Sequence, residues 1–307
     1  RHGDPLPGHA RALGRVRDRL APRGAQVELT RRQSSVRWAL IAIGLAYALV
    51  PVLWVLAIAL RPQTSFTFPL PLIPNHVTFT NLKDVVAGSE GIGWLPYVNA
   101  AIYGLGGAVV TAVIALLGGY ALGRYDTRYG RALLLVFLAL SLLPDAARIV
   151  PLFLLYIHTG MYDTRIGVIL AYASGSLPLG IWLMAAIIRQ IPIRLEQAAR
   201  IDGAGPFTIA RKIVLPLARP GVIVVGTLAF VNGWNAFSIP LILAQSPNIQ
   251  PYTVALQKYV IVEQNTVNWT LLSAGSLVGL VPVLLVFGFL QRRLLAQGGL
   301  GAAVRAR

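Results

Sequence analysis

Two ionisable side chains lie three residues apart inside an otherwise uncharged apolar stretch. Asp145 and Arg148 share a helix face at that spacing and can form an ion pair. Charged groups inside a membrane segment are costly and usually face a cavity or a partner. Pro144 and Pro151 flank the pair and interrupt helical hydrogen bonding. The pattern favours a solute path or gate, with a self-neutralised pair near the outer end of a kinked helix as the alternative.

A second polar group, Asn232, Trp234 and Asn235, lies in a later apolar stretch, which we take as the fifth span. Amides hydrogen-bond hydroxyl groups, and aromatic faces stack on sugar rings, so these residue types suit a carbohydrate path. Packed membrane helices use the same residue types for interhelical hydrogen bonds. Both interpretations stay open.

Other chemistry is sparse in the sequence. The chain has no cysteine, and its four histidines are scattered without metal-ligand spacing. It has no G-x-x-x-x-G-K-[ST] phosphate loop, so we do not expect it to hold ATP in the P-loop manner. We expect no catalytic residue, no metal site and no cofactor bound by this chain.

The segment 189–220 has a helical pattern of its own. Pro192 can open a first helix, and Gly203 can close it in the left-handed conformation. A second helix is expected near Pro206, with an apolar stripe of Phe207, Ala210, Val214 and Leu217 and a stop at Pro216 and Pro220. The two helices would form a compact projection, here called the knob (residues 192–217). It either docks against a partner or anchors the loop to lipid.

The elements that position these groups are apolar and long. Mean hydropathy is +0.66 and only 12% of residues are charged, against about 25% in soluble domains. Six stretches are long enough to cross a bilayer. They are 38–60, 97–123, 132–157, 166–188, 222–243 and 269–290. We therefore predict an all-α membrane protein with six transmembrane helices.

The net charge of +16 is distributed unevenly. Alternate connecting segments hold 22 of the 27 Lys and Arg residues, and the opposite segments hold four. The positive-inside rule then places both termini, and the knob between spans 4 and 5, in the cytoplasm. The charge is explained by topology, and we expect no nucleic-acid partner. Residues 1–37 are a basic N-terminal tail, 38–290 the membrane domain and 291–307 a C-terminal tail.

The knob resembles the cytoplasmic coupling motif of ABC-importer permeases, E-A-A, three residues, G, nine residues, I, one residue, L-P. Ala198, Ala199, Gly203, Ile213 and Leu215-Pro216 match it in spacing. The motif's Glu is Gln197 here, and Glu196 precedes it. The resemblance implies an ATPase-coupling surface, with Glu196 a possible source of charge toward the ATPase. Its residues are Glu196, Gln197, Ala198, Ala199, Arg200, Asp202, Gly203, Ala204, Leu215 and Pro216.

Further motifs resemble the carbohydrate, maltose-importer-like branch of that family. They are Asn232, Trp234 and Asn235, the Tyr162-Asp163-Thr164 turn, and Gln291-Arg292-Arg293 before a Gly-rich tail. The resemblance implies a permease subunit, not itself an enzyme, that moves a sugar or sugar-like solute across the bacterial plasma (inner) membrane by alternating access. The implied partners are a second homologous permease, two ATPase subunits that hold ATP and Mg, an extracytoplasmic solute-binding protein contacting 244–268, and membrane lipid.

Other transport and membrane classes remain as alternatives. An ABC importer for a non-sugar solute would share all of these features. An ion-coupled secondary transporter needs intramembrane carboxylates, and Asp145 is the one candidate. A membrane-embedded enzyme on lipid-linked substrates needs clustered acids or histidines at a membrane face. A scaffold that only assembles partners would be indifferent to substitution of Asn235 or Arg148.

Overall fold

A computed structural model describes residues 31–62, 76–87, 91–125, 127–260 and 267–304. The chain divides into two units, Arg1–Val52 and Leu53–Arg307. Most of the N-terminal tail lies outside the described residues, as do 63–75 of the loop after the first span and 261–266 of the segment expected to meet a binding protein.

The described chain is helical throughout and has no strand. Its α-helices are α1 (Arg31–Ala59), α2 (Thr80–Ala87), α3 (Leu95–Arg124), α4 (Arg128–Leu140), α5 (Asp145–Thr159), α6 (Arg165–Gln190), α7 (Ile193–Ile201), α8 (Pro206–Ile209), α9 (Leu215–Trp234), α10 (Ser238–Leu243), α11 (Tyr252–Ala255) and α12 (Trp269–Val304). A π turn, Ala210–Val214, joins α8 to α9, and a 3₁₀ turn, Leu256–Tyr259, follows α11.

Among the described residues, five helices are long and apolar enough to span a membrane. They are Ser35–Ala59, Leu95–Arg124, Arg165–Gln190, Pro206–Trp234 and Trp269–Phe289. A sixth crossing is possible if one bent helix pair counts as a span. The helical membrane architecture is therefore confirmed.

The stretch 132–157 is that bent pair, and the interruption of helical hydrogen bonding expected at Pro144 is a sharp bend, whereas Pro151 lies inside a helix. Helices α4 and α5 meet at 100° across a break between Leu140 and Asp145. Pro144 is the N-cap of α5, with ψ of 147°. Proline has no N–H to continue the ladder of α4, and it disfavours helical conformation in the preceding residue. Asp145 therefore begins a new helix rather than lying inside an old one.

The fifth span differs from its expected bounds at both ends. It was expected at 222–243, but the helix runs from Pro206 to Trp234 and α10 is separate. Pro216 and Pro220, expected as stop signals, both lie within α9. The π turn before Pro216 widens the helix, which accommodates a residue without an N–H.

The spans α3 and α6 form the tightest helix pair, and α9 packs on both. A Cβ at Gly119 would lie 2.9 Å from the backbone nitrogen of Ala185, and one at Gly233 would lie 2.9 Å from the carbonyl oxygen of Tyr103. Side chains do not fit at such contacts, so glycine permits the helices to approach. The last helix continues to Val304, beyond the expected end at 290.

Candidate functional site

The first helix of the knob begins and ends where the sequence predicts. Pro192 is the N-cap of α7, and Gly203 has φ of +82°. The N–H of Gly203 bonds the carbonyl of Arg200 at 3.1 Å, and that of Ala204 bonds the carbonyl of Ala199 at 2.9 Å. These two bonds form a Schellman motif, which satisfies the last carbonyls of the helix. The turn is therefore fixed by one residue in the left-handed conformation.

Most residues of the motif lie on the surface of the knob. The exposed members are Gln197, Ala198, Arg200, Asp202, Gly203, Leu215 and Pro216, and the half-buried ones are Ala199 and Ala204. The small members Ala198, Gly203 and Ala204 leave open backbone between the larger side chains. Such a surface permits close approach of another protein.

Glu196 is the exception, and its expected charge contact with a partner does not match its position. It is 1% exposed and points toward α3. The Nε of Arg124 lies 2.6 Å from its Oε1, and the hydroxyl of Tyr120 donates to its Oε2 at 2.9 Å. Arg124 also donates from Nη1 to the carbonyl of Ile191 at 2.8 Å. The carboxylate belongs to an internal network at the base of the knob.

Two large apolar side chains stand out on the knob. Ile201 is 86% exposed and Phe207 is 77% exposed, on either side of the Gly203 turn. The expected stripe is only partly correct, since Val214 is buried whereas Phe207 and Leu217 are exposed. Sequence reasoning missed Ile201. Its position as the last residue of α7, directly before the Asp202-Gly203 turn, is the signal that could have identified it.

A cavity of about 290 Å³ opens beside the bend between α4 and α5. Asp145 and Arg148 of α5 line it together with Asn232 of α9. Arg148 forms the ion pair with Asp145 that the spacing predicts. The Nδ2 of Asn232 donates to the Oγ of Ser176 at 3.1 Å. The cavity wall thus presents charged, amide and hydroxyl groups within an apolar surround that includes Leu179.

The structure separates Trp234 and Asn235 from this cavity. Both lie at the end of α9, not near the middle of a span as expected. Trp234 is buried, donates to the carbonyl of Gly279 at 2.9 Å, and packs against Phe230 and Tyr252 with ring centroids 6.0 and 5.4 Å away. Asn235 caps the helix, and its Oδ1 accepts from the hydroxyl of Tyr252 at 3.3 Å. These contacts are those of helix packing.

Asp163 lies just before the N-terminus of α6, at the end of that helix away from the knob, and its side chain hydrogen-bonds the segment that follows α10. It has φ of 56°, the one positive value among described non-glycine residues. Its carboxylate accepts from the backbone N–H of Gln245 at 2.8 Å and of Ser246 at 2.9 Å, and from the Ser246 hydroxyl. These hydrogen bonds, led by the Ser246 hydroxyl, lower the pKa of Asp163. Asn99 and Tyr103 bond carbonyls of the same segment, so it is held firmly.

Within the described residues, no group of three or more His, Cys, Asp or Glu side chains is arranged to hold a metal ion. Two features of the described chain remain as candidate sites: a polar cavity among the helices and the exposed knob.

Residues 114–296, which include the cavity and the knob, match the family described as binding-protein-dependent transport system inner membrane component. The chain belongs to this family. It is a multi-pass inner-membrane permease subunit of an ABC importer.

Several transport permeases are similar to this permease over most of their length. The trehalose transport system permease protein SugB of Mycobacterium tuberculosis is 32% identical over 260 residues, covering 84% of this chain and 94% of that protein. The sulfoquinovosyl glycerol transport system permease protein SmoH of Agrobacterium fabrum is 31% identical, covering 86% and 93%. The diacetylchitobiose uptake system permease protein NgcG of Streptomyces coelicolor is 29% identical, covering 86% and 87%.

Solved transporters share the fold. A chain of a bacterial ABC transporter involved in the import of the acidic polysaccharide alginate superposes with a TM-score of 0.72 at 23% identity, covering 85% of this permease and 96% of that chain. The MetNI methionine ABC transporter gives 0.50 at 18% identity, covering 69% and 95%. The chain as a whole therefore has the fold of an ABC-importer permease.

Proposed function

We propose that this permease moves a sugar or sugar-like solute across the bacterial inner membrane and that separate subunits hydrolyse the ATP that drives it. The similarity to a trehalose permease extends over nearly the whole of that protein. The observation that carries the proposal is the knob, whose motif residues are exposed around a Schellman turn closed by Gly203.

The proposed assembly contains a second, homologous permease, two ATPase subunits that bind ATP and Mg, and a solute-binding protein outside. Both termini and the knob then face the cytoplasm, in agreement with the distribution of Lys and Arg. The segment 244–260, held by Asp163, is on the opposite side and forms part of the proposed contact with the binding protein.

The ATPase subunit contacts the exposed face of the knob. Ile201 and Phe207 supply the apolar anchors of this contact because both are almost fully exposed. A few side chains that fill well-packed pockets carry most of the binding free energy at protein interfaces. Gln197, Arg200 and Asp202 surround them with polar groups, and Gln197 takes the motif's Glu position as a hydrogen-bonding rather than an ionic contact.

The mechanism is alternating access. ATP binding draws the ATPase subunits together, and the knob moves with the subunit it contacts. The helices then turn toward the binding protein, and hydrolysis returns them to the inward-facing arrangement. The permease itself supplies a path and a rigid link, and no bond is made or broken on it.

The cavity beside the α4–α5 bend is the proposed solute path in this subunit. Asp145 and Arg148 neutralise each other, so the cavity carries no net charge from this pair. A carboxylate, a guanidinium and an amide together donate and accept hydrogen bonds, as hydroxyl-rich neutral solutes require. Trp234 and Asn235, expected to be part of the path, have packing contacts instead and are not included in it.

An ion-coupled secondary transporter is less well supported. Such a carrier needs a carboxylate that gains and loses an ion during the cycle. Asp145 is the carboxylate in the cavity, and the guanidinium of Arg148 already pairs with it.

The coupling proposal is tested with the change Gly203→Asp in the purified transporter complex. The side chain strains a backbone held at φ of +82° and adds charge to the docking face. We expect the complex to remain in the membrane and to lose the ATP hydrolysis that the loaded binding protein stimulates.

Gly205→Ala is the matched control for strain, because Gly205 has φ of −70° and also faces open space. We expect this variant to keep most of the stimulated hydrolysis. If Gly203→Asp assembles and is stimulated as strongly as the wild type, the knob is not the coupling element.

A further inference from the structure

The network at the base of the knob is not explained by docking alone. Arg124, at the last turn of α3, contacts both α7 and the two-residue link between α6 and α7. Tyr120, one turn earlier on α3, donates to the second oxygen of Glu196. Both carboxylate oxygens of α7's one buried acid therefore bond to α3.

The pair is almost completely shielded from water. The side chain of Arg124 is 7% exposed and that of Glu196 is 1% exposed. A buried ion pair resists separation, since each charge would then be left uncompensated in a medium of low polarity. The Arg124 guanidinium is also planar and makes two bonds in fixed directions, to Glu196 and to the carbonyl of Ile191. The orientation of α7 relative to α3 is therefore fixed.

The α3 helix is in turn closely packed against α6. A Cβ at Gly123 would lie 2.9 Å from the carbonyl oxygen of Ala185, so the two backbones touch directly. Ile188 and Ile191 are buried in the same apolar cluster as Ile209 of α8. The ends of α3 and α6 and the helix α7 thus have the contacts of one rigid body.

We propose that the Arg124–Glu196 pair is the link that transmits movement of the knob to α3, with Arg124 and Glu196 acting as positioning residues. The proposal rests on the proposed function, because it requires that an ATPase moves the knob. It gives Glu196 a role within the permease instead of one at the ATPase surface. When the ATPase subunits close, α7 and α3 move together and α3 carries the displacement into the membrane.

A purely stabilising role for the pair makes a different prediction. If the pair only holds the fold, its loss lowers the yield or thermal stability of the complex, and the molecules that assemble are coupled normally. If the pair transmits movement, assembled and ATP-hydrolysing complexes are uncoupled. The test therefore measures coupling in assembled complexes only.

The first measurement is ATP hydrolysis by the whole complex in liposomes, with and without its loaded binding protein. Glu196→Gln keeps the size of the side chain and removes its charge. We expect unchanged basal hydrolysis and a stimulation ratio that falls at least about tenfold, within the usual range of coupling between sites. Arg124→Gln should behave in the same way. Arg189→Gln is the matched control, because Arg189 is exposed and makes one long bond of 3.4 Å to the carbonyl of Leu122.

The second measurement follows the relative movement directly. The chain has no cysteine, so spin labels attached at Ala121→Cys on α3 and Arg194→Cys on α7 report one distance. Both positions are exposed. We expect a narrow distance distribution that is the same without nucleotide and with ATP trapped, and a broad distribution in Glu196→Gln.

Two results would overturn the proposal. One is a stimulation ratio in assembled Glu196→Gln within about twofold of the wild type. The other is a wild-type distance between the labels that changes when ATP is trapped. Failure of the wild-type complex to respond to its binding protein would instead contradict the proposed function.

Discussion

The position of the Arg148 side chain is set by two neighbouring residues, Asp145 and Gly175. Its guanidinium pairs with Asp145 and lies across Gly175, where a Cβ would be too close to both of its terminal nitrogens. The absence of a side chain at Gly175 therefore keeps Arg148 in place on the cavity wall. Sequence spacing predicts the ion pair, but the glycine beneath it comes from another helix and is seen only in the fold.

We expect Gly175→Ala to displace Arg148 from Asp145 without unfolding the protein, because the end of a flexible side chain can move. Loss of a hydrogen bond to a charged group corresponds to about 1.5–3 kcal/mol, or about a tenfold or greater change in solute affinity. Uptake of radiolabelled neutral sugars by reconstituted complexes measures the effect.

Gly226→Ala is the control, since its nearest neighbour would be the Cβ of Ala112 at an ordinary 3.9 Å. Equal uptake by the Gly175→Ala, Gly226→Ala and wild-type complexes would show that the Asp145–Arg148 pair does not line the solute path.

Asp163 gives a residue-scale prediction for pH. Its pKa is lowered in the folded protein, so its stabilising effect is complete above the pKa of an unfolded chain and is lost as pH falls through the lowered value. We expect amide exchange at Gln245 and Ser246 to speed up over that acidic range. Asparagine also adopts positive φ, so Asp163→Asn should remove this pH dependence and, because the site is partly exposed, weaken the segment by about 1 kcal/mol. If amide exchange at these residues still speeds up at acidic pH in Asp163→Asn, another group is responsible for the pH dependence.

At the scale of elements, the packing of α3 on α6 determines how close the central helices lie. Gly119 is surrounded by backbone atoms of α6, so a larger residue there cannot be relieved by a side-chain rotation. This packing also fixes where Arg124 lies, and through Arg124 the orientation of the knob.

We expect Gly119→Val to abolish correct folding or to lower thermal stability severely, since overpacking in a dense core costs about 1–3 kcal/mol and backbone clashes cost more. Gly107→Ala is the control, because its Cβ would meet only the Cβ of Tyr172 at 3.8 Å and alanine favours helix. The stability of the two variants is compared by measuring their melting temperatures in detergent. A Gly119→Val variant as stable as the Gly107→Ala variant would contradict the close packing.

Elements set by a local requirement can be predicted from the sequence, and elements set by packing cannot. Long apolar stretches identify most spans, because the bilayer sets their length. Gly203 marks the end of α7, since a left-handed residue is a local requirement. The π turn at Ala210–Val214 and the passage of Pro216 through a helix depend on packing that no local pattern records. For the same reason, the sequence placed the charge of Glu196 at the ATPase, whereas Tyr120 and Arg124 hold it inside.

At the scale of the whole molecule, the permease has a polar cavity among its helices and a knob joined to them by a buried ion pair. Neither the cavity nor the knob is a source of energy for transport. In the proposed mechanism, ATP hydrolysis in partner subunits drives the movement of solute through this chain, and no ion gradient is required.

The most direct test is uptake of radiolabelled neutral sugars into liposomes that contain the purified complex and its binding protein, with ATP supplied on the knob side. We expect uptake that requires ATP, persists when ionophores collapse proton and sodium gradients, and is lost in Gly203→Asp. Uptake that proceeds without ATP and stops on addition of an ionophore would contradict the proposed function.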